Sequence, residues 1–239
     1  MLGSALFLTA SFFAAVAATL AGFGSSTLLI PVAVLFMDLK TAVFLVACFH
    51  LFNNTFKIRA FRDRIDLRIF LLFGIPSVFC AFLGAALISV IPATYIQKAL
   101  AVFLIVFSGF SFIRPGLAVK KTTASAVAGG GLSGFLAGLI GLGGAIRSTF
   151  LIAFNLPKEI YVATSAMIAF VIDLTRIPTY IFTGVVRDNS YYVLLPFLLF
   201  TAYFGVKAGK ALLGRISQEA FRKIVSAALF LVGIKLFFT

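Results

Sequence analysis

A stripe of polar side chains interrupts one of the long apolar runs of this sequence. His50, Asn53, Asn54 and Lys57 fall at positions i, i+3, i+4 and i+7, which place them on one face of a helix. A charged side chain in hydrocarbon costs about 2.5–3.5 kcal/mol or more and usually faces a cavity. The stripe therefore indicates an internal polar path. Both ends of the stripe also have a structural interpretation. The alternative for His50 is a hydrogen bond between helices. The favoured interpretation of Lys57 is a side chain that extends to the cytoplasmic surface.

A second polar set lies in the apolar run Ile160–Phe182. Asp173 and Arg176 are three residues apart there, so their side chains can pair on one helix face. They either line a functional site or form a structural ion pair. Thr164 and Ser165 lie in an earlier turn of the same run.

Arg147 stands in the first turn of a short apolar segment, next to Ser148 and Thr149. The positive end of a helix dipole disfavours a cation at this place. Arg147 therefore calls for a compensating negative charge, which either a bound anion or Asp173 could supply. It is the first candidate for contact with a substrate.

Two glycine-rich breaks precede the two short apolar segments of the chain. The first is Gly22-Phe23-Gly24-Ser25-Ser26 and the second is Gly141-Leu142-Gly143-Gly144. Broken helices at matching places of two halves mark the binding site of many transporters, and free N–H groups at helix starts attract anions. Close helix packing is the alternative, and it is preferred for Gly129-Gly130-Gly131. The candidate substrate-binding residues are Gly24, Ser25, Ser26, Thr27, His50, Asn53, Asn54, Gly143, Gly144, Arg147, Ser148, Asp173 and Arg176.

The residues that enzymes and metal sites require are missing from the sequence. A single histidine cannot supply paired haem ligands, and no Cys-x-x-Cys or His-Glu-x-x-His motif occurs. The glycine breaks lack the lysine of a phosphate-binding loop. Cys48 and Cys80 both lie inside apolar runs, where packing is their expected role. We therefore expect no enzyme, no metal site and no cofactor.

Composition decides the class of protein. The chain has 239 residues, of which 62% are hydrophobic and 11% charged, and its mean hydropathy is +1.15. Ordinary soluble domains are about 45–50% apolar and about 25% charged. We expect one membrane domain, residues 1–239, embedded in the lipid bilayer of the cell inner membrane. The net charge of +13 is interpreted as a signal of membrane orientation, and not of nucleic-acid binding, because the basic residues fill the gaps between apolar runs.

Eight apolar runs are long enough to span a bilayer, since a spanning helix needs about 20 residues. Two further segments, Thr27–Met37 and Ala145–Leu156, are too short to cross unaided. The eight long runs are Leu2–Gly22, Thr41–Phe56, Leu67–Ile91, Thr94–Ile113, Thr122–Ile140, Ile160–Phe182, Tyr191–Leu213 and Phe221–Phe238.

The chain contains an internal duplication. A shift of 119 residues lays Gly22 on Gly141, Gly24 on Gly143 and Asn54 on Asp173. With a one-residue gap near Asp38, Lys40 matches Lys158. The C-terminal parts also pair, Gly84-Ala85-Ala86-Leu87 with Gly209-Lys210-Ala211-Leu212 and Lys98 with Lys223. We therefore divide the chain into repeat 1, residues 1–113, and repeat 2, residues 122–239.

Charge orients the two repeats. The gaps Lys57–Arg68, Arg114–Lys121 and Lys207–Lys223 are rich in Lys and Arg, whereas the matching gap at Arg187 is poor. If each short segment completes a crossing, both repeats have five passes and the second is inverted. This 5+5 inverted repeat places fourteen basic residues inside and four outside. A parallel 4+4 repeat with re-entrant short segments is the less favoured alternative.

The order of these motifs resembles the sulfite exporter TauE/SafE family, also called the toluene sulfonate uptake permeases. Members carry in each half a Gly-rich stretch that leads into a short apolar helix, often with a proline. The matching stretches here cover nearly the whole chain: Gly22 to Thr27 with Pro31, Gly141 to Ala145, Leu156 to Glu159 with Thr164-Ser165, and Gly205 to Gly233. Ser25 and Ser26 depart from the usual glycines, and Phe150 replaces the second proline.

The resemblance implies transport of small sulfur-containing anions such as sulfite, thiosulfate or organosulfonates, without fixing the direction. We interpret the chain as a secondary transporter that works by alternating access. An anion channel and an accessory membrane subunit that scaffolds a partner are the alternatives. If transport is coupled to protons, His50 and Asp173 are the residues expected to titrate. The sequence leaves open whether the protein forms a homo-oligomer.

Overall fold

The computed structural model describes residues 2–21, 24–61, 64–113, 120–186, 189–212 and 218–238. In these ranges the chain forms ten α-helices and one 3-10 helix, Asn189–Leu194, with no strand, so the predicted all-α class is confirmed. The helices are α1 Leu2–Ala21, α2 Ser25–Ala33, α3 Leu39–Ala60, α4 Leu67–Val90, α5 Ala93–Ile113, α6 Thr123–Ile140, α7 Gly143–Ile152, α8 Lys158–Phe182, α9 Leu195–Ala211 and α10 Gln218–Phe238.

Seven segments of the described chain are long and apolar enough to cross a membrane, as judged by length and composition. They comprise α1, α3, α4, α5, α6, α8 and the range Tyr191–Ala211 that contains α9. The predicted eighth segment, Phe221–Phe238, falls within α10. The apolar part of that helix identified by length and composition is the shorter stretch Leu229–Phe238. The run predicted as Thr41–Phe56 is longer in the structure, because α3 continues to Ala60.

The two short segments are helices α2 and α7, of 9 and 10 residues. At 1.5 Å per residue neither reaches across a bilayer alone. Gly24 precedes α2 with a φ of 81°, and Gly141 ends α6 with a φ of 74°, so both breaks use backbone that favours glycine. Gly22 and Phe23 of the first break lie outside the described residues.

The distribution of polarity is the reverse of that in a soluble protein. Phe182 and Val90 are 89% and 74% exposed, whereas Asp173 and Arg176 are at most 1% exposed. Lipid can solvate an apolar exterior but cannot replace the hydrogen bonds of a polar interior. The apolar exterior therefore suits a bilayer, and Asp173 and Arg176 are held inside the helix bundle.

Glycines bring α4 and α6 into close parallel contact. A β-carbon on Gly134 would lie 2.0 Å from the Ser77 carbonyl oxygen, and one on Gly138 would lie 2.2 Å from the Ala81 carbonyl oxygen. Gly130, in the run predicted to serve packing, meets the Phe73 carbonyl oxygen in the same way. Small residues let helix backbones approach and gain dispersion energy where lipid offers no hydrophobic drive.

Helices α1 and α9 form a second parallel pair. The Ser11 hydroxyl donates to Thr201 Oγ1 over 2.7 Å, and a β-carbon on Gly205 would lie 2.5 Å from the Ala15 β-carbon. The 119-residue shift aligns α1 with α6, and the C-terminal pairing of Gly84 with Gly209 aligns α4 with α9, so the equivalent helices touch in both repeats. The packing of the two repeats is therefore alike.

Contacts along α3 give its direction relative to α8 and α9. Near the middle of α3, His50 bonds to Asp173, whereas at its end Phe61 packs against Val162, so α3 and α8 run antiparallel. Helix α9 runs parallel to α3, because the Phe44 ring contacts Tyr192 and the Phe56 ring contacts Tyr203.

We predict that Gly134→Ala lowers the stability of the purified protein, because the new methyl group would collide with the backbone of Ser77. Overpacking of this kind typically costs about 1–3 kcal/mol. Thermal unfolding in detergent measures the loss. Gly109→Ala in α5 is the matched control, since a β-carbon there meets nothing within 4 Å. Equal melting temperatures for the two variants would contradict the packing role of Gly134.

Candidate functional site

The residues predicted for the site are all buried in the structure. They come from α2, α3, α7 and α8 and the break before α2, and they meet where α2 and α7 begin. A β-carbon on Gly24 would lie 3.1 Å from the Gly144 Cα, so the two breaks are in contact. The buried set is Gly24, Ser25, Ser26, Thr27, His50, Asn53, Asn54, Gly143, Gly144, Arg147, Ser148, Asp173 and Arg176.

Asp173 is the centre of a hydrogen-bonded network between α3 and α8. Its Oδ1 accepts from Arg176 Nε and Nη2, both at 2.8 Å. Its Oδ2 accepts from His50 Nδ1 at 2.9 Å and from Asn54 Nδ2 at 3.4 Å. Because a buried carboxylate is costly unless paired, these contacts explain how a charge can exist at this position.

The network continues to the end of α6. Arg176 Nη1 donates to the Ala137 carbonyl at 2.6 Å, and the Tyr180 hydroxyl donates to the Gly138 carbonyl at 2.5 Å. The last carbonyls of a helix lack partners within the helix and favour a cation. Asp173, Arg176 and Tyr180 therefore join α3 and α8 to the second glycine break.

Arg147 was expected in the first turn of the short helix, but α7 begins at Gly143, so Arg147 is its fifth residue and lies in the second turn. Its side chain extends towards α8. Its Nε donates to Ser165 Oγ at 2.9 Å, and its side chain is 2% exposed. No ion pair joins it to a carboxylate among the described residues. The charge expected to compensate Arg147 is therefore not supplied directly by Asp173, which instead pairs with Arg176.

The position of Lys57 corrects an expectation. Its side chain was expected to extend to the cytoplasmic surface, but it is 4% exposed and lies beside Arg147 in the interior. The physical reason is that α3 continues beyond Lys57 to Ala60, which leaves Lys57 a full turn inside the helix end. Lys57 thus belongs to the site, and the 119-residue shift that aligns it with Arg176 is the signal that could have revealed it.

A small cavity of about 10 Å³, close to the space one water molecule needs, lies between these cations and the first break. At the rim, a β-carbon on Gly24 would lie 3.5 Å from Arg147 Nη2 and 3.7 Å from His50 Nε2. Any larger residue would therefore fill the space between the two side chains. The cavity is lined by Ala18, Gly24, Asn54, Lys57, Arg147, Val162, Ser165 and Ala166.

Unpartnered polar atoms surround this region. Ser25 Oγ, His50 Nε2 and both polar atoms of the Asn53 side chain are buried without a hydrogen-bond partner among the described residues. Orphaned polar groups of this kind cost stability and call for an explanation. Because Asp173 accepts from His50 Nδ1, the other ring nitrogen is left to face Gly24.

Some predicted residues lie near the cavity without lining it. Gly143 packs against α6, where the Ser133 hydroxyl donates to its carbonyl oxygen at 2.8 Å. The Ser148 hydroxyl donates to the Gly144 carbonyl at 2.8 Å. Ser26, Thr27 and Asn53 are buried but are not among the lining residues.

Tyr180 is a part of the network that the polar pattern misses. It lies four residues after Arg176 and seven after Asp173, so its position on the same helix face is the signal that could have identified it. The described residues contain no cluster of three or more His, Cys, Asp or Glu side chains that could hold a metal ion. The arrangement can bind and release a charged solute, with buried cations, hydroxyls and helix N–H groups as donors.

Comparison with protein families finds one match: the family model described as "Sulfite exporter TauE/SafE" covers residues 7–236. No curated protein matches the chain. The matched range includes both glycine breaks and every residue of the cavity.

Proposed function

Because the chain belongs to the sulfite exporter TauE/SafE family, a family of membrane transporters, we propose that it is a secondary transporter of small sulfur-containing anions such as sulfite, thiosulfate or organosulfonates. It is a multi-pass membrane protein, and we place it in the cell inner membrane. The observation that carries the proposal is the pair of buried cations, Arg147 and Lys57, which line a small cavity at the point where the two broken segments meet.

The chemistry of the cavity favours an anion. Arg147 can grip an oxyanion at two points through its planar guanidinium, and Lys57 adds a compact second charge. The N-terminus of α2 begins at Ser25 and that of α7 at Gly143, and helix starts carry partial positive charge. A cation would be repelled from the same space.

An inverted arrangement of the repeats supports alternating access. In a 5+5 inverted repeat α3 must run antiparallel to α8 and parallel to α9, and these are the observed directions. A parallel 4+4 repeat requires the opposite in both cases. Asn54 and Asp173, which the shift of 119 aligns, are hydrogen-bonded to each other, as expected of residues next to a pseudo-twofold axis.

The mechanism is a rocking of the two repeats that opens the cavity first to one side and then to the other. Purified protein in liposomes tests this, since a carrier shows saturation and counterflow whereas a channel does not. Failure of the isolated protein to move any of these anions would favour an accessory subunit that scaffolds a partner.

Proton coupling is a further part of the proposal. His50 Nε2 is buried without a partner among the described residues and faces Gly24, while the Asp173 carboxylate accepts from the other ring nitrogen. The imidazole can therefore accept a proton on the cavity side while the carboxylate stabilises the resulting charge. Arg147, Arg176 and Lys57 are the cations near this pair.

We predict that Arg147→Ala lowers anion flux into liposomes at least about tenfold, because it removes a charged two-point donor. Arg147→Lys should recover only part of the flux, since an ammonium group cannot reproduce the planar grip. Arg64→Ala is the control, because the Arg64 side chain is 59% exposed and pairs with the exposed Glu159. Undiminished flux in Arg147→Ala would remove Arg147 from the site.

The topology is tested by single-cysteine labelling in a background without Cys48 and Cys80. We expect a membrane-impermeant reagent applied outside to label a cysteine at Asn189 but not at Asp63 or Ser217. Asp63 and Ser217, like the orienting residues Arg62, Arg187 and Arg215, lie outside the described residues. Labelling of all three positions in detergent provides the control. A label at position 217 but not at 189 would establish the parallel 4+4 repeat.

For proton coupling, we expect the anion flux of the parent protein to depend on pH and on an imposed pH gradient. His50→Gln or Asp173→Asn should flatten this dependence in at least one case, because each removes a group of the relay. Flux at several pH values, with and without the gradient, is the measurement. If both variants keep the parental profile, coupling through these residues is wrong.

A further inference from the structure

The buried charges around the cavity do not balance. Lys57, Arg147 and Arg176 are each at most 4% exposed, and Asp173 is the one buried carboxylate among the described residues. The other described acidic side chains are outside this interior: Asp38 and Glu159 are exposed and Asp66 is half-buried. With a neutral His50 and a protonated Lys57, the site has three cations against one anion.

This imbalance arises from a difference between the two repeats. The 119-residue shift aligns Asn54 with Asp173 and Lys57 with Arg176. In the second repeat the carboxylate neutralises the guanidinium at 2.8 Å. In the first repeat an amide stands in place of the carboxylate, so Lys57 has no equivalent partner.

The two unpaired cations face the same space. Lys57 and Arg147 both line the cavity, and Asn54 lines it beside them. Leaving two buried cations uncompensated is costly, and a solute with two negative charges can remove that cost. Asn54 can also donate to Asp173 Oδ2 without adding a negative charge of its own.

We propose that the site selects divalent anions over monovalent ones and that the neutral side chain of Asn54 sets this preference. The inference rests on the proposed function and narrows its substrate class to dianions such as sulfite or thiosulfate, as opposed to simple monovalent sulfonates. Lys57 and Arg147 supply the two matching charges. Ser25 Oγ, which follows the lining residue Gly24, is buried and unpartnered among the described residues.

Thiosulfate and methanesulfonate form a matched pair of probes. Both present an SO₃ group, and they differ in whether the fourth substituent is a charged sulfur or a neutral methyl group. Half-saturating concentrations for both are measured by flux into liposomes that contain the purified full chain. All assays are done at a single pH, so that the protonation of His50 is the same for both probes. The charged groups around His50 are Asp173, Arg176, Arg147 and Lys57.

We expect the parent protein to favour thiosulfate by about tenfold or more, because one additional charge meets the unpaired cations at short range. Asn54→Asp adds one negative charge and Lys57→Gln removes one positive charge, so each variant lowers the net charge of the site by one unit. Both should therefore shift the preference towards methanesulfonate. Lys57→Arg keeps the positive charge. The ratio of its half-saturating concentrations for the two probes should therefore stay near that of the parent, whatever its transport rate.

The outcomes separate the two proposals. If the parent moves neither probe nor sulfite, the proposed function fails and this inference fails with it. If the parent moves thiosulfate but Asn54→Asp and Lys57→Gln each lower the flux of thiosulfate and of methanesulfonate by the same factor, only the inference is overturned. A parent that prefers methanesulfonate overturns it without any variant, so the test does not depend on the folding of Asn54→Asp or Lys57→Gln.

Discussion

The carboxylate of Asp173 is the contact on which the interior of this protein depends. It is the one buried negative charge in the described chain, and it accepts hydrogen bonds from both α3 and α8. Arg176, held by Asp173, in turn reaches the carbonyls at the end of α6. In a low-dielectric interior such a network stays intact only if every member is satisfied. His50 is the member with one atom unpartnered among the described residues, because its Nδ1 is bonded to Asp173 while its Nε2 faces Gly24 at the cavity.

The residues that pack the helices together differ from those that form the candidate site. Glycines at Gly134, Gly138 and Gly205 bring α4 against α6 and α1 against α9, and the backbone contacts there leave no space for side chains. The polar residues lie instead on α3 and α8 and at the starts of α2 and α7. A close-packed frame around a polar centre allows the helices to hold their positions while the charges between them bind and release a solute.

Much of this arrangement could be predicted from the sequence, because charges and backbone breaks are rare in membrane segments and therefore conspicuous. Asp173, Arg176, His50 and Arg147 stand out for that reason, and the helical spacing places them on inward faces. Lys57 could not be placed in the same way. Whether a lysine reaches the surface depends on where its helix ends, and α3 ends one turn later than the apolar run suggests. The partners of Tyr180 are carbonyls, which no sequence pattern reveals.

The hydrogen bond between Asn54 and Asp173 joins two positions that the predicted duplication aligns with each other. Two identical chains assembled as a symmetric dimer would place the same side chain on both sides of this contact. Two aspartates would then repel each other, and two asparagines would leave both neighbouring cations without a counter-charge. Joining the repeats in one polypeptide removes that constraint, since each copy can mutate alone. An amide facing a carboxylate is a combination that gene fusion permits and that strict symmetry forbids.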